Sequence, residues 1–417
     1  MNAPRPTPTE ILQRASELVP LLQKYSTWSE ENRRVHDEVI EAMAAAGIFR
    51  MRTPVRYGGY ECDTGTLLEV AAELARGDAS AAWVASVYWI PTWMASLFPD
   101  ETRDEVFATA NVRICGTLSP TAMAAPAPGG IVVNGKWSFI TGTWHSQWQE
   151  CIAVIVGPDG PPRPVVALVP TSDLHVVDDW QTAGLRGTGS VTTIAQDLFV
   201  PESRVLPLDV VMQGRGAGAP LPDVFHPQAR IPSPGYMQNG QGRSTGESEA
   251  IYNAPLLPVA SASSVGTAVG IARSAYEAFM ERAGDRKITY TDYAHQLEAP
   301  LTHLQVADAA MAIDEAGFHA HRLTSAVDAK SAAGDGWSLD ERVRARADMG
   351  AVVRRAGEAV AVLADASGGT SNQLAVPIQR IRRDMQALSL HALMHPSTNA
   401  ELYGRFLCGQ APNSQYM

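Results

Sequence analysis

The hydrophobic period of this chain changes twice along its length, and that limits its fold more than any other feature. Over residues 1–110 apolar positions recur every three to four residues, as on buried helix faces. Thr7-Pro8-Thr9-Glu10 reads as a capping box with Pro at the first helical position, and Ile11, Leu12, Ala15, Leu18, Val19 and Leu22 follow at helical spacing. A second helix is expected over 30–46, burying Val35, Val39, Ile40 and Met43 and closed by Gly47 as a left-handed cap. Further helical patterns cover 66–76, 79–98 and 100–108.

From 111 to 210 the pattern becomes short β-rich runs at 131–133, 137–140, 151–156, 165–169 and 194–200, separated by Gly, Pro and Asp. The stretch 211–254 is rich in Gly, Pro, Gln and Ser, carries no apolar period and is expected to be a long loop. Then 256–282, 297–330, 339–366 and 376–406 return to helical spacing, four long segments that suggest a bundle over 255–417. The expected class is α+β: a helical domain, a central β-barrel or sandwich domain, and a C-terminal four-helix bundle.

Composition excludes several functions. With 45% hydrophobic and 18% charged residues over 417 positions, the chain can bury sizeable cores. Its apolar runs are far shorter than the roughly 18–20 residues of a membrane span, and its start lacks the apolar stretch of a secretory signal. A cytoplasmic protein without a membrane partner is expected. Cys62, Cys115, Cys151 and Cys408 are scattered, which argues against a disulfide framework or a zinc site. A net charge of -11 argues against nucleic acid. His391 and His395 have the helical spacing of a metal pair but lack the accompanying Glu and a third ligand, so no metal is expected. Gly214-Arg215-Gly216-Ala217-Gly218 follows no strand and leads into Pro, so no dinucleotide loop is expected there.

The helical, β, four-helix order resembles the acyl-CoA dehydrogenase superfamily along nearly the whole chain. The motifs that carry the resemblance are Pro54-x-x-Tyr57-Gly58-Gly59, the run from Gly135 to Gly142, Trp180 with Gly184 to Ser190, Phe199-Val200-Pro201, Ser367-Gly368-Gly369-Thr370 and Arg383-Asp384. Short- and medium-chain dehydrogenases place a Tyr-Glu-Gly-Thr segment seven residues after that Asp. Here the count lands on His391-Ala392-Leu393-Met394, with Ala392 where the catalytic Glu stands. Without that base, removal of an α-proton has no evident agent. Some dehydrogenases carry their Glu on an earlier bundle helix, so that activity stays open.

His391, Tyr403-Gly404-Arg405 and the segment Trp137-Ser138-Phe139-x-x-Gly142-x-x-His145-x-x-Trp148 are similar instead to the two-component aromatic hydroxylases typified by the oxygenase of 4-hydroxyphenylacetate hydroxylase. The resemblance implies an oxygenase that takes reduced FMN or FAD from a separate reductase. That flavin reacts with molecular oxygen to give a C4a-hydroperoxide, which hydroxylates a phenolic or polyketide-like aromatic substrate. It implies a homotetramer, flavin contacts from Thr117, Ser119, Trp137, Phe139, Thr141, Gly142, Gly368, Gly369 and Thr370, and catalytic parts for Thr141, His391 and His145. Each has a plainer reading: strand residue for Thr141, core histidine on an Ala/Leu helix for His391, strand-turn brace for His145, packing aromatics for Trp137 and Trp148, and a helix cap for Gly368-Gly369. Trp83, Trp89 and Trp93 offer either ligand surface or core. The alternatives are an N-oxygenase of an amine or amino sugar, an acyl-CoA dehydrogenase, and a catalytically silent scaffold.

Overall fold

A computed structural model describes residues 5–156, 161–213 and 250–414. The N-terminal helices are α1 (Pro8–Asn32), α2 (Asp37–Ala46), α3 (Thr64–Gly77), α4 (Ala79–Ala95) and α5 (Asp100–Val106). The capping box at Thr7 and Glu10 forms in full. The helix expected over 30–46 is instead two helices, because Arg33 turns left-handed at the end of α1 and His36 caps α2 through its own ring.

Seven strands follow: β1 (Ile114–Ala127), β2 (Gly130–Ile140), β3 (Trp148–Ile155), β4 (Arg163–Pro170), β5 (His175–Val177), β6 (Val191–Pro201) and β7 (Val205–Pro207). They make one sheet in the order β5-β6-β2-β1-β3-β4-β7, which curls far enough for β4 to touch β6. Among the described residues only the β1/β3 pair is parallel. β1 gives little sequence signal because Pro120 and Pro126 interrupt an Ala-rich run of weak β-propensity. It passes at residues 118–121 through a bulge, between Thr117 and Ala122. Trp137 anchors the inside of the sheet, fully buried, its indole donating to the Ile152 carbonyl at 3.0 Å.

The 211–254 segment begins later than expected: α6 (Leu208–Gln213) buries Val210 and Val211 against β4 and the following helices. Residues 214–249, including the Gly214 to Gly218 run, lie outside the described residues. The C-terminal helices are α7 (Leu256–Ala283), α8 (Pro300–Ala333), α9 (Leu339–Ala366), α10 (Pro377–Ser389) and α11 (Pro396–Leu407). The segment expected as one helix over 376–406 breaks into α10 and α11, because Pro396 cannot continue a helix and His395 caps the second one. α7 is long and apolar enough to cross a membrane, yet its apolar stretch is 94% buried. It packs on α3, α4, α8, α9 and α10, so the N- and C-terminal helices share one core. Gly266 and Gly270 make the closest approach: a Cβ on either would fall on the backbone carbonyl of Leu68 or Ala72 in α3. Trp89 and Trp93 belong to that core, donating to the Ile48 and Ile251 carbonyls at 2.8 Å each.

Candidate active site

Two irregularities face each other across neighbouring strands. β1 bulges at 118–121, and β2 loses register with β6 between Trp137 and Ile140. Bulges re-aim side chains and cluster beside active sites. Here the second one turns Phe139 to φ +65°, rare for a bulky residue, and leaves its ring 69% exposed. Trp180 meets that ring edge to face at 5.8 Å. Thr117 and Ser119 lie just before and within the β1 bulge, partly exposed and exposed, their hydroxyls at 3.5 Å. Trp137, two residues before Phe139 and still in register with Thr193, faces the core instead.

Thr141 follows at the end of β2. Its hydroxyl is buried and meets Ser190 Oγ at 2.8 Å, which in turn meets Thr188 Oγ1 at 2.7 Å; Thr188 donates to the Leu185 carbonyl at 2.8 Å. Gly142 is required where it stands: φ is +76°, and a Cβ would run into the Tyr88 ring. The Tyr88 hydroxyl donates to the Gly142 carbonyl at 2.5 Å.

Helix α4 collects these parts. Gly187 of the 184–190 loop rests on Ser80, the Trp83 indole meets the His391 ring edge to face at 5.2 Å, and Tyr88 holds Gly142. Trp83 and Tyr88 are five residues apart, about 7.5 Å along a helix at 1.5 Å per residue. At about 100° per residue they also point roughly 140° apart, so α4 braces the His391 turn and the Thr141 turn from different sides.

His391 sits in the turn between α10 and α11, not on a helix face, and its ring is exposed. Protein surrounds that open surface on its other sides, and the lost hydration lowers the imidazole pKa to about 4. The open face limits how far such a shift goes, but its direction leaves the ring neutral near pH 7. Ala392, beside it, carries no acid.

His145 is differently placed. One ring nitrogen meets the Val35 carbonyl at 2.9 Å, the other lies 3.7 Å from Asp37, and burial lowers its pKa. The ring ties the strand turn to the α1–α2 junction.

A separate cluster of the expected flavin-contact residues lies where α9 ends. Gly368 has φ +62°, and the Arg286 guanidinium lies on it while donating to the Ser367 carbonyl. Desolvation first and neighbouring Arg282 second lower the Arg286 pKa, the signature of a cation short of counter-charge. Gly369 and Thr370 beside it are exposed. Two arginines and an open glycine backbone suit a phosphate. Arg286 carries no periodic signal, and only its Asp285-Arg286-Lys287 charge run marks it in the sequence.

The 184–190 loop is pinned from behind. A Cβ on Gly184 would fall on the Arg383 carbonyl, and Asp384 accepts the Leu185 N–H at 2.6 Å. Burial first, then Asp78, raise the Asp384 pKa to about 7; burial likewise raises Asp78 to about 6. Both line a recess of about 290 Å³ between α1, α7 and α10. Among the described residues no group of His, Cys, Asp and Glu is arranged to hold a metal.

Comparison with known proteins agrees with this layout. The acyl-CoA dehydrogenase N-terminal domain family matches residues 15–102, and its C-terminal domain family matches 262–396. The oxygenase component of the FADH2-dependent resorcinol hydroxylase of a Rhizobium species is 31% identical, covering 100% of this chain and 99% of that protein. The oxygenase subunit HsaA of a flavin-dependent monooxygenase from Rhodococcus jostii is 29% identical, over 94% of this chain and 97% of its own. XiaF from a Streptomyces species, solved with FADH2 and glycerol, superposes with a TM-score of 0.87 at 27% identity, covering 98% of both chains. The chain belongs to the acyl-CoA dehydrogenase family. Within it, this is a flavin-dependent monooxygenase of the kind that serves as an oxygenase component.

Proposed function

We propose that this chain hydroxylates a small phenolic or related aromatic substrate, using reduced flavin delivered by a separate reductase and molecular oxygen. The observation that carries the reading is Ala392 standing where the dehydrogenase carboxylate belongs, with the exposed His391 beside it against Trp83 of α4. On α7 no acidic residue precedes Glu277. The alternatives lose ground accordingly: the acyl-CoA dehydrogenase lacks the carboxylate at the Ala392 position, and the related oxygenases named for resorcinol and p-hydroxyphenylacetate favour a phenol over an amine.

Bound reduced flavin supplies two electrons that split oxygen between the aromatic ring and water. The chain's residues do the rest. Thr141 and Gly142 hold one edge of the ring system, with Thr117 and Ser119 along the β1 bulge. Phe139 and Trp180 give it an aromatic face. Arg286, Gly368, Gly369 and Thr370 take a phosphate, from this chain's own flavin or a neighbouring copy's. His391, neutral and open to the site, accepts the phenolic proton and so raises the electron density of the ring to be attacked. His145 and Trp137 act by bracing the platform. Reduced FAD is the favoured form, being named for the resorcinol hydroxylase and bound in XiaF.

A homotetramer fits the surface of α8, where Leu301, Leu304, Met311 and Phe318 lie exposed along one side. The test of the function is to supply NADH, a flavin reductase and a panel of phenols, and to measure hydroxylated product against hydrogen peroxide. Product coupled to NADH use supports the reading. Reduction of bound FAD by acyl thioesters, with no phenol hydroxylated, overturns it.

A further inference from the structure

We propose that the side of α4 carrying Trp83, Val87 and Ile90 is the wall along which the apolar part of the substrate lies, which makes Val87 and Ile90 specificity-determining residues. The substrate class it selects is a phenol bearing a second ring or an alkyl chain, rather than a small polyhydroxylated ring. The inference rests on the function proposed above and deepens it.

Helix α4 is covered by the fold almost everywhere. Of its 17 residues only Val87 and Ile90 are not buried, and both are half-buried. They share one side of the helix: at about 100° per residue, each points within about 40° of Trp83. Trp83 in turn meets the exposed His391 ring, so the uncovered side runs on from the proposed base.

The flanks show what that side looks into. About 60° to one side of Trp83, Ser86 meets Thr267 of α7 at 3.1 Å. About 140° to the other, Tyr88 holds the strand turn through the Gly142 carbonyl at 2.5 Å. The strip therefore opens between the C-terminal helices and the β domain, on the side where His391 stands. It ends at Met94, about 20° from Trp83, which is 1% exposed. Trp83 and Ile90 are about 10 Å apart along the axis at 1.5 Å per residue, longer than one aromatic ring.

The strip is chemically one-sided. His391 at its head accepts a phenolic proton, whereas Val87 and Ile90 offer neither donor nor acceptor. A hydroxyl or carboxylate laid along it would lose hydration without a partner. Each methylene laid there gains up to about fourfold in affinity, the worth of one buried CH2.

The experiment uses the full chain with reduced FAD and para-alkylphenols from methyl to butyl, with resorcinol as the polar comparison. Dissociation constants are measured by anaerobic titration calorimetry, and kcat/KM for hydroxylation with reductase and oxygen. Both are expected to improve about two- to fourfold per methylene, with resorcinol weakest. Ile90→Phe fills the far end of the strip, so the butyl-to-methyl ratio of affinities should fall roughly fivefold or more. Val87→Phe should act in the same way nearer His391, and it decides the matter if Ile90→Phe does not fold. Affinity that ignores chain length, or a folded variant that weakens every phenol equally, overturns the wall. Phenols that bind with the expected dependence on chain length yet are never hydroxylated support the wall and overturn the proposed function.

Discussion

His391 shows how much a residue's role depends on what surrounds it. As a core histidine on a helix it would be inert, but the turn between α10 and α11 exposes its ring against Trp83. A lowered pKa keeps the base form available in acid: the acid limb of kcat/KM for hydroxylation is expected below the 6.5 of free imidazole, toward about 4. Replacing it, His391→Ala, should cost 10²–10⁴-fold in hydroxylation, the usual worth of a positioned base, with flavin affinity unchanged by equilibrium titration. Equal loss of flavin affinity would make it a structural residue. Thr141→Ser should retain flavin binding, because either hydroxyl can meet Ser190, whereas Thr141→Val should weaken reduced flavin several-fold.

The elements themselves were legible to different degrees. Long helices with caps, such as α1 and α9, follow from apolar spacing and from Thr7-Glu10 or Ser338-Glu341, because propensity, pattern and cap agree. β1 was not, since its prolines and alanines form a strand only because β2 and β3 flank it. The site was half legible. Gly142 and Thr141 sit in a recognisable run, whereas the positive φ of Phe139, the Arg286 contact with Gly368 and the Thr141-Ser190 hydrogen bond depend on segments meeting from afar. The α3–α7 seam gives a prediction at this scale. Gly270→Ala gains about 1 kcal/mol of helix propensity, yet its Cβ would collide with the rigid Ala72 carbonyl, and overpacking costs about 1–3 kcal/mol or more. A lower melting temperature is expected, measured by calorimetry; a rise would show that the helices can separate freely.

At the scale of the whole molecule, the acids behind the active-site loop link stability to pH. Asp384 is faced by Asp78, Glu30 and Arg380, and its folded pKa of about 7 exceeds the ordinary 3.8. Between those values the folded chain holds a proton that the unfolded chain has lost, so stability falls as pH rises from about 4 to about 7 and levels beyond. Asp78, raised to about 6, adds in the same direction. Asp384→Asn should flatten this dependence, so that its melting temperature gains on wild type between pH 5 and pH 8. On the exposed side of α8, Phe318→Glu or Leu304→Glu should yield a smaller species by light scattering if α8 is a subunit contact. The glycine seam that joins α3 to α7 also sets an order of events at the ribosome. Leu68 leaves the exit tunnel roughly 200 residues before Gly266, a wait on the order of 10–40 s at typical rates of synthesis. Throughout that interval α3 has α1 and α4 to pack on but not α7, so one apolar face of the first domain stays uncovered until the far half of the chain is made.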